Sequence, residues 1–223
     1  IFTIGNYDYG FFWYLYLDGT IQMEVKLTGI VGVTSKTGEV NSGQSPQIAE
    51  NLTSPVHQHL FCFRLDWELD GGANQLFENN IEVLPVTDNN PHGTQFQNVS
   101  THLTTESAAK REVAPQVSRS WKVVNPESRN GLGIPVAYKL LPQSVPTIFA
   151  SADSPTSKRA EFARHNLWAT PYEKEEIAAS GTNTVMHEGG GLPDYTANDR
   201  DIRCCDLVMW HTIGVTHVPR PEA

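Results

Sequence analysis

His57 and His59 stand at the head of a long, mostly apolar run, Val56-His57-Gln58-His59-Leu60-Phe61-Cys62-Phe63-Arg64-Leu65-Asp66-Trp67-Glu68-Leu69. Side chains alternate across a strand, so His57, His59, Phe61, Phe63, Leu65, Trp67 and Leu69 share one face. Arg64, Asp66, Glu68 and Asp70 fall on the other. The pattern aims two imidazoles into a core, where an unsatisfied polar group is costly. A metal ion satisfies both at once. The same alternation across Asp206 to His217 groups Leu207, Met209, His211, Ile213, Val215 and His217, with Asp206 opposite. Acids and histidines therefore occupy opposite faces in both stretches, which predicts two separate sites. An inner set of neutral imidazoles suits copper or zinc, and an outer set of carboxylates suits calcium or manganese. His211 and His217 compete for the third inner position.

Each residue also has an ordinary reading. A His-x-His pair on a strand is often a surface or hydrogen-bonded pair, and Asp66 with Glu68 reads equally as a solvated edge. Tyr7, Tyr9, Tyr14 and Tyr16 are by default core tyrosines whose hydroxyls reach a partner. His92, His102, His165 and His187 lie in loop or helix contexts without a chemical pattern.

The elements that must position these groups are mostly strands. Phe11 to Leu17 is aromatic and apolar, Asp18-Gly19 supplies a turn, and Ile21, Met23, Val25 and Leu27 then alternate with polar residues, which predicts a β-hairpin. Residues 34–55 read as a loop and 56–70 as a strand closed by Asp70-Gly71-Gly72. Further strands are expected over Ile81 to Val86, Trp121 to Val124 ahead of the turn at Asn125-Pro126, Val136 to Leu141, and Thr147 to Ala150. A helix is expected from about Thr156 to His165, capped by Ser154 or Thr156. Residues 180–200 read as loop, and Asp206 to His217 as a strand pair broken near Gly214. Short strands, Gly/Pro turns and little helix predict an all-β fold, a large antiparallel β-sandwich.

The bulk properties exclude some functions. A net charge of −9 without a concentrated basic face excludes nucleic acid as a partner. The acidity mildly favours approach of a cationic small molecule. No apolar run approaches the length of a membrane span, so no membrane partner is expected. Three cysteines, Cys62, Cys204 and Cys205, form neither a disulfide framework nor a Cys-x-x-Cys zinc pattern. The sequons at Asn51 and Asn98 matter only in a secreted eukaryotic protein, and the compartment stays open.

Taken together, the segments resemble one family. Thr3-Ile4-Gly5-Asn6-Tyr7-Asp8-Tyr9-Gly10 is similar to the Asn-Tyr-Asp/Glu-Tyr signature of copper amine oxidases. Val56 to Trp67 resembles that family's first copper segment, and Trp210-His211-Thr212-Ile213-Gly214-Val215-Thr216-His217-Val218-Pro219-Arg220 its last. Asn125-Pro126-Glu127-Ser128, Val136-Ala137-Tyr138-Lys139-Leu140 and Asn166-Leu167-Trp168-Ala169-Thr170 also match, so the resemblance covers nearly the whole chain.

The resemblance implies a catalytic domain over residues 1–223, incomplete at both ends, with Tyr7 as the precursor of topaquinone and Asn6 helping to orient its ring. It makes His57, His59 and His217 the ligands of Cu(II) and His211 a non-ligand. Asp66, the carbonyl of Trp67, Glu68, and Asp206 with Leu207 become a second site for calcium or manganese, although Glu68 departs from the residue expected there. Thr28 resembles a residue near the dioxygen route. The implied activity is oxidative deamination of a primary amine by dioxygen to aldehyde, ammonia and hydrogen peroxide, in a homodimer. The family's catalytic aspartate lies well upstream of the quinone tyrosine, and six residues precede Tyr7, so the sequence reads as part of a longer protein. The alternatives are a truncated, inactive relative acting as a metal-binding β-sandwich module, and a three-histidine zinc enzyme.

Overall fold

A computed structural model describes residues 1–36, 38–39, 42–182 and 189–221. His187 and part of the expected 180–200 loop lie outside the described residues. The chain divides into two compact units, Ile1–Gln58 with Thr216–Ala223, and His59–Val215.

In the first unit, β1 (Phe2–Ile4), β2 (Tyr7–Leu15) and β3 (Ile21–Gly29) form an antiparallel sheet in that order. The β2–β3 hairpin is the one expected, with its first strand starting earlier, at Tyr7. Its register runs from Tyr7 opposite Gly29 to Leu15 opposite Ile21. Asp18 closes the turn by accepting the Thr20 amide at 2.9 Å. Gly29, at φ +106°, has no room for a Cβ, which would collide with the Asn6 carbonyl and lie 2.8 Å from the Tyr7 Cα. The stretch 34–55, expected as loop, carries three very short strands, β4 (Thr34–Ser35), β5 (Gln47–Ala49) and β6 (Leu52–Thr53), paired in the order β4-β6-β5. Each is only two or three residues long, too short to show a period-2 pattern.

The second unit holds a β-sandwich. β7 (His57–Trp67) leads into it, followed by β8 (Gln75–Val83), β9 (Phe96–Leu103), β10 (Ser120–Arg129) and β11 (Pro135–Leu140). Helix α1 (Pro155–Arg159) precedes β12 (Leu167–Pro171), and α2 (Leu192–Tyr195) precedes β13 (Leu207–His217). One sheet runs β11-β10-β8-β9 and the other β12-β13-β7. Leu76, Trp121 and Val123 from the first sheet pack against Leu167, Ala169, Leu207 and Met209 from the second, with Leu65 and Trp67 of β7 at the margin. Register explains the match: Trp121 lies opposite Glu78, and Val123 opposite Leu76, while Ala169 faces Met209.

The outer face of the three-stranded sheet is also covered. Trp168, Val208 and Trp210 pack there with Leu192, against Cys62 and Phe162. β13 is thus buried on both faces along most of its length, and such strands read as continuous apolar text rather than alternation. The expected break at Gly214 does not occur: β13 is one strand through His217. Gly214 instead marks a close approach, because a Cβ there would collide with the His59 carbonyl and lie 2.8 Å from a Leu60 methyl.

Glu78 is a charge inside the sandwich, about 2% exposed. Arg111 donates to it through two nitrogens at 2.7 and 2.8 Å, and Trp121 donates at 3.2 Å. Burial alone would raise its pKa, but the hydrogen bonds from Arg111, Asn80 and Trp121 outweigh burial and hold it below the ordinary value.

Other expectations need correction. Thr147–Ala150 is not a strand; Ile148 donates its amide to Ala163 instead of to a neighbouring strand. The expected turn at Asn125-Pro126 sits within β10, where pairing with β11 shifts between Val124 and Arg129. The helix stops at Arg159 and continues as a 3-10 turn over Glu161–Arg164. Ser154 caps it, accepting the Ser157 amide at 3.1 Å. Among the described residues no helix is long and apolar enough to cross a membrane.

Candidate metal centre

His57 and His59 lie at positions i and i+2 of β7 and so project from the same face. His217 closes β13, the neighbour of β7 in its sheet. The three side chains bring one ligand atom each to within 4.8 Å of one another, the one such group among the described residues. The rings of His57 and His217 are 4.8 Å apart, inclined at 60°. His59 is buried, and the other two are half-buried.

The His57 tautomer follows from its neighbour. Nδ1 lies 2.8 Å from the Pro55 carbonyl, which can only accept, so Nδ1 carries the proton. Nε2 is left with its lone pair, the form a metal ligand needs. That lone pair faces a phenol: the Tyr7 hydroxyl is 3.2 Å from Nε2. The Gly32 amide donates to the same hydroxyl at 3.1 Å. Tyr7 is the first residue of β2, between Ile4 of β1 and Gly29 of β3, which fixes its backbone from both sides. Asn6, in the preceding turn, accepts the Ile30 amide on its carbonyl at 2.7 Å. Thr28 pairs with Asp8, one register step from Tyr7.

His211 is a different kind of histidine. It is about 2% exposed, it donates from Nδ1 to the Asn166 carbonyl at 2.9 Å, and it lies edge-on to Trp121. Burial pushes its pKa below the ordinary histidine value. It is outside the ligand group.

On the outer face, the Asp206 pKa is raised first by burial and then by the charges of Asp66 and Glu68, with Arg64 opposing. Arg64 donates to Asp66 at 2.9 Å. Leu207 is fully buried in the sandwich core and Trp67 packs against it. The Asp206 carbonyl accepts the Tyr172 amide at 2.7 Å. These carboxylates sense one another electrostatically without forming a three-ligand group.

Gly32 and the Pro55 carbonyl belong to the site and were not legible beforehand. Both contribute backbone atoms, which leave no residue-type signature.

Three imidazoles with a common focus fit a borderline metal such as copper or zinc. Fold and site together define an antiparallel β-sandwich protein with a group of three imidazoles able to hold a metal and a phenol against one of them. The family model described as copper amine oxidase, enzyme domain, matches residues 1–223. The chain belongs to the copper amine oxidase family. It is 48% identical over 221 residues to a histamine oxidase of Arthrobacter globiformis, across 99% of this chain and 32% of that protein. It is 41% identical over 225 residues to a primary amine oxidase of Arthrobacter sp. (strain P1), across 100% of this chain and 34% of that one. Its fold matches the crystal structure of a copper-containing benzylamine oxidase from Hansenula polymorpha with a TM-score of 0.89 at 29% identity, over 98% of this chain and 35% of that chain. The chain spans about a third of the length of these curated relatives.

Proposed function

We propose that this chain carries the metal and cofactor centre of a copper- and topaquinone-dependent primary amine oxidase. The observation that supports it most is the Tyr7 hydroxyl 3.2 Å from Nε2 of a histidine that shares a ligand group with two others. His57, His59 and His217 are the copper ligands, and Tyr7 is the residue converted to topaquinone. Copper, when bound, supplies the one-electron chemistry that lets a phenol react with dioxygen.

The remaining work belongs to the chain's own groups. Pro55 holds the His57 tautomer, and the Gly32 amide holds the phenol oxygen. Asn6 helps to orient the ring. Conversion adds two oxygens to the Tyr7 ring and removes two hydrogens, consuming two dioxygen molecules and releasing one hydrogen peroxide. In turnover a primary amine, dioxygen and water give an aldehyde, ammonia and hydrogen peroxide. Asp66, Glu68 and Asp206, with the carbonyls of Trp67 and Leu207, are assigned to a second site for a hard cation such as calcium or manganese, which would have to draw the three carboxylates together. The assembled enzyme is a homodimer.

The test is mass spectrometry of the Tyr7 peptide after aerobic copper addition to the metal-free protein. The expected result is a gain of two oxygens and a loss of two hydrogens, together with a pink absorption and a copper EPR signal. An unchanged Tyr7 peptide in aerated, copper-saturated protein overturns the reading. Zinc uptake with hydrolytic activity and no change at Tyr7 would point instead to the zinc alternative.

A further inference from the structure

Tyr7 is the reacting group of the proposed centre, so what fixes its oxygen matters as much as what binds the metal. Its hydroxyl donates toward His57 Nε2 and accepts from the Gly32 amide. Gly32 lies between β3 and β4, in a stretch without strand pairing of its own. Its carbonyl accepts a hydrogen bond from the Ser54 hydroxyl at 2.7 Å. Ser54 is fully buried, and its amide donates to the Pro46 carbonyl at 3.1 Å. Thr53 beside it pairs with Thr34, two residues beyond Gly32. The next residue, Pro55, orients the His57 ring. Two consecutive residues thus hold both partners of the Tyr7–His57 contact, Ser54 through Gly32 and Pro55 directly.

We infer that Ser54 is a positioning residue for the oxidation of Tyr7, its hydroxyl fixing Gly32 so that the Gly32 amide keeps the phenol oxygen against His57. The inference rests on the proposed function. A buried hydroxyl could serve stability alone, but here it bonds the carbonyl of the residue whose amide donates to the reacting oxygen. A Cβ on Gly32 would lie 3.7 Å from that oxygen, so the segment already runs in van der Waals contact with it. Losing the Ser54 bond frees the segment to withdraw, and the ring then loses one of these two restraints on its oxygen. Small misplacements of a reacting group cost rate steeply.

The experiment has two arms, both on the intact protein. In the metal-free state, amide exchange at Gly32 is compared among unaltered protein, Ser54→Ala, Ser54→Thr and Tyr7→Phe. Exchange should rise about tenfold in Ser54→Ala and in Tyr7→Phe, the scale of one hydrogen bond, and return in Ser54→Thr. In copper and air, Tyr7 conversion in Ser54→Ala should slow by about 10- to 100-fold at full copper occupancy, and recover in Ser54→Thr. If Ser54→Ala does not fold, Ser54→Cys, nearly isosteric and a weaker donor, should show the same lag. Conversion at the unaltered rate in the alanine or cysteine variant overturns the inference, as does Gly32 exchange that ignores Tyr7→Phe. Should the unaltered protein leave Tyr7 unconverted, the proposed function fails, while the exchange arm still decides whether Ser54 holds the phenol.

Discussion

The Tyr7 hydroxyl meets Nε2 of His57 at 3.2 Å, and the proton in that contact belongs to the phenol, because the imidazole proton is already committed to Pro55. The contact therefore leaves the imidazole in its ligand form. Tyr7→Phe should accordingly keep metal affinity within about threefold of the unaltered protein, since a lost hydrogen bond to a lone pair the metal takes over has little effect on the bound state. It should also abolish any oxygen gain at residue 7. Metal titration and peptide mass spectrometry check the two halves independently.

Removing an imidazole should act the other way. His57→Ala, His59→Ala or His217→Ala deletes one of the three proposed ligands, and affinity should fall by more than about 100-fold, beyond the loss typical of an outer partner. His211→Asn, which removes a histidine outside the group, should leave the affinity essentially unchanged. Competition titration with a chelator measures both. Equal losses for His211 and His217 would break the assignment.

Much of this site was legible in the sequence because it rests on side-chain types in strand phase. His57 with His59, His217, and the Asn6-Tyr7-Asp8-Tyr9 stretch mark it by residue alone, and the β2–β3 hairpin announces itself through alternation around Asp18-Gly19. What escaped has physical causes. Phe96–Leu103 is an edge strand, mostly exposed and polar on both faces, so no period-2 signal survives in it. Leu167–Pro171 is buried on nearly every residue and shows no alternation either. Glu78 sits where an apolar residue is expected, and its partners Arg111 and Arg119 are more than thirty residues away. Gly32 and Pro55 act through backbone atoms alone. Gly214, which in a sequence suggests a break, is a crossing point whose reason exists only in three dimensions.

That crossing gives a further prediction. A Cβ at Gly214 would strike the His59 carbonyl, so Gly214→Ala must push the backbone of one proposed metal ligand aside. Metal affinity should fall by about 10- to 100-fold although no ligand is altered. Chelator competition, with circular dichroism to confirm that the sheets persist, checks it. An alanine variant that binds metal as tightly as the unaltered protein would show that the β7 backbone yields freely at this point.

Glu78 should matter for stability rather than for the site. Its carboxylate lies between Arg111 at 2.7 Å and Arg119 at 3.2 Å. Glu78→Gln leaves both guanidiniums short of a counter-charge. The cost should be about 2–4 kcal/mol, below the full loss for a completely buried pair because Arg111 reaches solvent. The melting temperature should drop by roughly 5–15 °C. Since the Glu78 pKa is held low in the fold, its contribution is present above the ordinary carboxylate range and disappears as pH falls through the folded value. Thermal melts of the variant and the unaltered protein should therefore converge in acid.

His211 sets a pH dependence with its own window. Burial holds its pKa down while the Asn166 carbonyl takes its Nδ1 proton. Below about pH 6.5 the unfolded chain protonates this residue and the folded chain resists, so the unfolded state binds more protons and stability falls as pH falls. One such group contributes at most about 1.4 kcal/mol per pH unit. His211→Asn preserves a donor toward Asn166 and cannot titrate, so its stability should decline less steeply between about pH 6.5 and 5. The decline should be shallower without vanishing, because His102 and His165 are also held below the ordinary value, chiefly by burial. Denaturant unfolding of both proteins across that range supplies the comparison. Parallel curves would mean that the folded protein takes up the His211 proton as readily as the unfolded chain does, and that the Trp121 side of the sandwich admits a charge.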